Sequence, residues 1–181
     1  MISVVVLAAG VSKRYGAQKL EEPYKGKHLL NWTIEVARKV PGRKVMVISR
    51  YLDISKFNVE GFEIKVNEHP EKGLSSSVKI AVKECERSDG ILLFLGDMPE
   101  ITSKLVRKVL SFGKKRIVFP HYESIKGFPV FLPSSYFEEA LNVDGDVGLR
   151  IVIKRHKDEC ITFKSDRRCV YDVDILSDSK R

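Results

Sequence analysis

Two glycines and three cations follow an apolar run near the amino terminus: Gly10 and Gly16 with Lys13, Arg14 and Lys19, directly after Val4-Val5-Val6-Leu7-Ala8-Ala9. Glycine reaches backbone conformations closed to other residues, and Ala8 and Ala9 add no bulk against a ligand. Such a loop brings consecutive backbone N–H groups close to an anion, with Ser12 adding a hydroxyl and the cations adding charge. An ordinary strand-to-helix turn with solvated lysines reads from the same residues, but the pattern is longer than that reading needs. Two phosphate loops are excluded. The Walker loop has four residues between its glycines and then Gly-Lys-Ser/Thr. Here five residues separate Gly10 from Gly16, and Lys19 follows Gln18. The dinucleotide pattern G-x-G-x-x-G is absent as well.

Three more stretches carry chemistry. In Leu95-Gly96-Asp97-Met98-Pro99 a carboxylate follows an apolar run and is held between glycine and proline. At the carboxyl end of a strand, Asp97 is placed to hold Mg²⁺ against substrate phosphates, or else to cap the next helix. Lys72-Gly73-Leu74-Ser75-Ser76-Ser77 opens an amphipathic pattern. Its N–H groups and hydroxyls suit a ribose, a base edge or a phosphate, and they equally suit plain N-capping by Ser75 or Ser76. Gly145-Asp146-Val147-Gly148-Leu149-Arg150 reads as a helix start, with Asp146 near the positive helix end. Arg150 is either a surface cation or a planar fork for a phosphate.

The elements that must position these residues alternate along the chain. Strands are expected at residues 2–7, 44–49, 62–66, 91–95, 116–119, 129–132, 160–163 and 169–171. Helices are expected at 29–40, ending before Pro41-Gly42, then at 51–57, 75–86, 102–110, 135–141 and 146–156. The run 91–95 is apolar throughout, as a central strand buried on both faces must be. Alternation of this kind predicts an α/β fold with a mostly parallel sheet and helices on both faces, its ligands beyond the carboxyl ends of the strands.

At 181 residues with no repeat or linker, one domain spanning 1–181 is expected. The chain has no apolar run of membrane-spanning length and no signal-peptide pattern at its start, so a cytoplasmic location and no membrane partner are expected. Cys85, Cys160 and Cys169 stand at unrelated spacings and the four histidines do not cluster, which argues against a zinc site or a disulfide scaffold. The net charge of +8 fits a polyanionic small ligand. Its cations are scattered without a basic block or an aromatic stripe, so nucleic acid is not the expected partner.

The pattern L-A-A-G-x-S-x-R-x-G-x-x-K-L over residues 7–20 resembles the signature of the nucleotidyltransferases of molybdenum cofactor maturation, the MobA-like group with its sugar-nucleotide relatives. Ala8-Ala9-Gly10 is closer to the cytidylyltransferase branch than to the guanylyltransferase branch, which usually reads Ala-Gly-Gly. Gly96-Asp97-Met98-Pro99 matches the group's metal-binding motif letter for letter. Gly127-Phe128-Pro129-Val130 is similar to Gly-His-Pro-Val, with Phe128 where His is usual. Gly145–Arg150 is similar to Gly-Asp-x-Gly-Ala-Arg. Tyr171-Asp172-Val173-Asp174-Ile175-Leu176-Ser177-Asp178 resembles Asp-Ile-Asp-Thr-Pro-x-Asp, with Thr and Pro replaced.

The resemblance implies a single-domain, Rossmann-like, three-layer nucleotidyltransferase fold and a Mg²⁺-dependent reaction. A nucleoside triphosphate, CTP in preference to GTP, would lie over Leu7, Ala8, Ala9, Gly10, Ser12 and Lys19, with its base near Gly73, Leu74, Ser75 and Ser76. Arg14 and Lys19 would stabilise charge on the transferring phosphoryl group. Asp97 would hold the metal, with Asp174 as a second contact. Phe128, Pro129, Asp146 and Arg150 would meet a phosphate-bearing acceptor, molybdopterin above others. Guanylyl transfer and transfer to a sugar phosphate or phospholactate are the alternatives within the superfamily. A nucleotide-binding module without turnover is the alternative of another class, and the presence of both Lys19 and Asp97 argues against it.

Overall fold

The computed structural model describes residues 1–10, 18–113, 115–145 and 147–173. Strand β1 (Ile2–Ala8) is its axis, because all of its seven residues are buried. Successive side chains of a strand point to opposite faces. Accordingly Val4, Val6 and Ala8 enter one apolar layer, while Val5, Leu7 and the following Ala9 enter the other. After β1 come a small ladder, β2 (Pro23–Tyr24) with β3 (Lys27–His28), then helix α1 (Leu29–Arg38) and strand β4 (Arg43–Ser49). Strand β5 (Glu63–Asn67), helix α2 (Leu74–Glu84) and strand β6 (Gly90–Leu95) follow. The second half holds α3 (Ser103–Ser111), β7 (Val118–Tyr122), β8 (Ile125–Lys126), β9 (Val130–Pro133), α4 (Phe137–Leu141), α5 (Arg150–Arg155) and β10 (Ile161–Lys164).

Among the described residues the main sheet runs β10-β7-β9-β6-β1-β4-β5, with β8 attached to β7. The β1–β4, β1–β6, β4–β5 and β7–β10 pairings are parallel, and Val5 faces both Val45 and Leu93. α1 and α3 cover the face of Val4 and Val6, through Leu30, Ile34, Leu105 and Val109. α2, α4 and α5 cover the opposite face, through Val78, Val82, Phe137, Val152 and Ile153. The result is the expected three-layer α/β arrangement, mostly parallel, with helices on both sides. Side chains as deeply buried as Ile34 and Phe94 each contribute about 1.5–3 kcal/mol. No helix among the described residues is long and apolar enough to cross a membrane.

The differences from expectation have local causes. β9 runs antiparallel to both β6 and β7, since the chain turns back from β7 through β8 and residues 127–129 with no helix to cross over. Residues 169–171 do not form a strand: Arg167–Cys169 is a 3₁₀ turn that Asp166 caps by accepting from the Arg168 amide at 3.1 Å. Residues 51–57 yield only a 3₁₀ turn at Ile54–Lys56, after Asp53 accepts from the Ser55 amide. The helix expected over 146–156 is α5 alone, because Gly148 takes a φ of +51° and breaks the path before it. The β2–β3 ladder and β8 were not anticipated; strands of two residues carry no detectable period.

Candidate functional site

A cleft of about 830 Å³ opens where β1 and β6 end. Its floor is main chain under tight constraint. The Gly96 amide donates to the Leu7 carbonyl at 2.9 Å, joining the two strand ends. A side chain at 96 would meet Leu30 Cδ1 at 2.9 Å and Leu7 O at 3.3 Å, so even a methyl group there would have to displace Leu30. The Thr33 hydroxyl lies 3.3 Å from the Leu95 carbonyl and 3.4 Å from that of Met98, fixing the turn from behind. Asp97 leaves this turn toward the cleft, and Lys19 Nζ donates to its Oδ2 at 3.1 Å. The pair is half-enclosed, the side chains being 13% and 28% exposed.

The stretch after Tyr171 crosses the same turn, its Val173 amide donating to the Asp97 carbonyl at 3.2 Å. It brings Asp172 into the cleft lining alongside Asp97 and Lys19. Two carboxylates and an ammonium thus share one end of the cleft. Carboxylate oxygens suit hard cations such as Mg²⁺ or Mn²⁺. No cluster of three or more His, Cys, Asp or Glu able to hold an ion occurs among the described residues. A metal here would take its other oxygens from water and substrate phosphate, the usual way Mg²⁺ is bound.

Along one side the cleft is bordered by the start of α2. Gly73, with φ of +86°, turns the chain in, and the Ser75 amide donates to the Gly145 carbonyl at 3.2 Å. Asn67 Nδ2 donates to the Ser76 hydroxyl at 2.8 Å and to the Ser77 hydroxyl at 2.9 Å, and Ser76 Oγ donates onward to the Gly73 carbonyl. These hydroxyls therefore set the helix start. Among the described residues the buried Ser75 Oγ has no hydrogen-bond partner. At the rim, Glu71 is held below the usual carboxylate range, first by its own backbone amide and then by His69.

The far wall is apolar: Phe128, Val130, Val147, Leu149 and Ile153. Phe128 is fixed by its amide, which donates to the Cys169 carbonyl at 2.8 Å. Gly127 donates to the Pro120 carbonyl at 2.8 Å, and a side chain at 127 would meet Cys169 O at 2.4 Å. Burial pushes the Cys169 thiol pKa up, as expected for a packing residue. Lys72, Lys126 and Arg150 stand exposed around this wall.

Of the residues singled out from sequence, Leu7, Ala9, Gly10, Lys19, Gly73, Leu74, Asp97, Phe128 and Arg150 line the one cleft. Ala8 points the other way, into the α1 layer, and is 1% exposed. Ser75 and Ser76 act in the helix start, and Pro129 is buried behind Phe128. Ser12, Arg14, Asp146 and Asp174 lie outside the described residues. Sequence reasoning passed over Asp172 and Lys126. In an extended segment Asp172 and Asp174 alternate onto one side, and that spacing was the available signal for Asp172.

A family model, the MobA-like NTP transferase domain, matches residues 4–160. Purine catabolism protein PucB of Bacillus subtilis is 25% identical over 162 residues, 83% of this chain and 79% of that protein. The molybdenum cofactor cytidylyltransferase of Escherichia coli is 27% identical over 143 residues, 77% of this chain and 74% of that protein. Among solved structures, Rv0371c of Mycobacterium tuberculosis aligns at a TM-score of 0.87 and 26% identity, over 98% of this chain and 95% of that one. A structure of Rv0371c in complex with manganese aligns at 0.81 and 24% identity, over the same shares of the two chains.

Proposed function

The chain belongs to the MobA-like NTP transferase domain family and is a nucleotidyltransferase, and we propose that within it the protein moves CMP from CTP onto the phosphate of molybdopterin or its metal-loaded form, in the cytoplasm. An oxygen of the acceptor phosphate attacks the α-phosphorus of the nucleotide in line, the bond to the β-phosphate oxygen breaks, and pyrophosphate leaves. A phosphate monoester has its second pKa near 6, so the nucleophile is already ionised at neutral pH and no strong general base is needed. Positioning and charge neutralisation then carry the catalysis.

The observation that carries this reading is the Lys19–Asp97 pair at 3.1 Å over the joined ends of β1 and β6. A cation and a carboxylate that meet at one point of a cleft suit a triphosphate bound together with its metal. Lys19, with Arg14, would hold phosphate oxygens. Ala9 and Gly10 would border the nucleoside, opposite Gly73 and Leu74. Asp97 and Asp172, with Asp174, would hold Mg²⁺, which when bound neutralises phosphate charge and polarises the phosphorus. Phe128 offers an aromatic face to the acceptor's ring, and Arg150 a planar fork to its phosphate.

The test is pyrophosphate release with CTP or GTP against molybdopterin, sugar phosphates and phospholactate. Release with CTP and molybdopterin is expected. Turnover of sugar phosphates alone would move the assignment to that branch. Absence of release with every acceptor would leave a nucleotide-binding module.

A further inference from the structure

We infer that Lys126 is a specificity-determining residue, the second cation of an anion subsite completed by Arg150, which requires the acceptor to present a phosphate dianion; this rests on the reading of the reaction given above. The two residues come from elements far apart in the chain, the two-residue strand β8 and the first turn of α5, yet both line the cleft. They stand on the same side of the sheet. Lys126 Nζ lies over the Phe119 ring, 5.9 Å from its centroid, and Phe119 belongs to the layer formed with Leu149, Val152 and Ile153 of the α5 region. The charge of Lys126 is also felt at Cys160, just beyond α5.

Around them lie Phe128, Val130, Leu149 and Ile153, all apolar, with Lys72 the other exposed cation bordering the wall. Among the described residues neither cation has a carboxylate partner, whereas Lys19 is engaged with Asp97 and Arg155 with Glu139. Two cations without a carboxylate partner among the described residues, over an apolar wall, match a ring that bears a phosphate. The backbone supports the aim of Lys126. Gly127, which follows it, tolerates no side chain and is tied to Pro120, and Phe128 is tied to Cys169. Its place is thus set by the same packing that presents Phe128. Arg would keep the charge in this place, and Ala would remove it.

The experiment has two arms. In the first, inorganic phosphate is titrated by ³¹P NMR onto protein whose nucleotide site is filled with a non-hydrolysable CTP analogue and Mg²⁺. Lys126→Ala and Arg150→Ala should each weaken phosphate binding about tenfold, as expected for loss of one charge-assisted contact. Lys126→Arg should restore it, and Lys39→Ala, a charge loss outside the cleft, should leave it unchanged. In the second arm, Lys126→Ala should raise the KM for molybdopterin about tenfold, with the KM for CTP unchanged. Equal phosphate affinity in wild type and Lys126→Ala, no phosphate binding by wild type, or a rise confined to the CTP KM would overturn the inference. If molybdopterin is not turned over while the phosphate arm behaves as expected, the acceptor assignment falls and the anion subsite stands.

Discussion

Where β1 and β6 end, the cleft is floored by main chain held on every side, and its ionic groups are engaged with one another: Lys19 reaches Asp97, and the turn beneath is fixed by Leu7, Thr33 and Val173. Around the apolar wall the reverse holds. Lys126 and Arg150 stand on elements of two and six residues, exposed and without carboxylate partners among the described residues. The first region is preorganised, as a site must be when electrostatics do most of the catalysis. The second is a surface of shape and charge that can be respecified without disturbing the first. On the proposed reading, chemistry common to the superfamily and specificity peculiar to one member would reside in separate elements.

The sharpest way to break this contrast is to remove the engaged pair. Asp97→Ala or Lys19→Ala should each lower kcat by about 10²–10³ while the thermal unfolding midpoint stays close to wild type. Near-normal pyrophosphate release from either variant would erase the distinction. The apolar wall is tested next through its backbone. Gly127→Ala drives a methyl group against the Cys169 carbonyl, 2.4 Å away. A cost of about 1–3 kcal/mol, and so a loss of roughly 3–10 °C in Tm, should follow. With it the acceptor KM should rise more than the nucleotide KM.

Two smaller effects refine the boundary. Ala9 lines the cleft on the side proposed for the nucleotide. Ala9→Gly should narrow the preference for CTP over GTP by a few-fold, roughly the worth of a methyl contact. Competition at equal nucleotide concentrations measures it, and an unchanged ratio would assign base choice to the start of α2. The smallest effect concerns α5, whose last turn is followed by His156. Its imidazole pKa is raised by hydrogen bonds to Glu139 (2.7 Å) and then Glu159 (3.3 Å). A raised folded-state pKa means that the stabilisation is fully present below the unfolded value near 6.5 and fades as pH climbs through the folded one. His156→Gln should therefore lower Tm by at most about 3 °C at pH 5.5 and have no effect at pH 9. A loss that persists at pH 9 would show packing rather than charge to be responsible.

The parallel half of the fold was legible because its signals are strong. The all-buried β1 and β6 read as apolar runs, and α2 and α3 carry a clear 3.6-residue period. So did Lys19 and Asp97 read, since strand ends in such sheets are where ligands bind. The rest depended on contacts between distant segments. β9 reads as a strand from Val130 to Leu132, but its antiparallel direction is set by pairing with β6 and β7. Cys169 and Tyr171 have the composition of a strand, yet their neighbours bond singly, Cys169 to Phe128 and Val173 to Asp97, and no ladder forms. Asp172 gained its place from that crossing, and Lys126 from a strand too short to show a period.

The antiparallel insertion of β9 also bears on how the protein is made. The outer edge of β6 is closed only when residues 130–133 pair with 90–93, where Gly90 leaves room for the Phe131 ring. A nascent chain leaves the ribosome amino terminus first, at about 5–20 residues per second. Between the emergence of Leu95 and that of Pro133 lie about 2–8 s in which β5, β4, β1 and β6 can assemble with an open, wholly apolar edge. Such an edge is a template for pairing with another chain. Slowing translation between the emergence of Leu95 and that of Pro133 should accordingly cost soluble yield, whereas equal slowing after Pro133 has emerged should not.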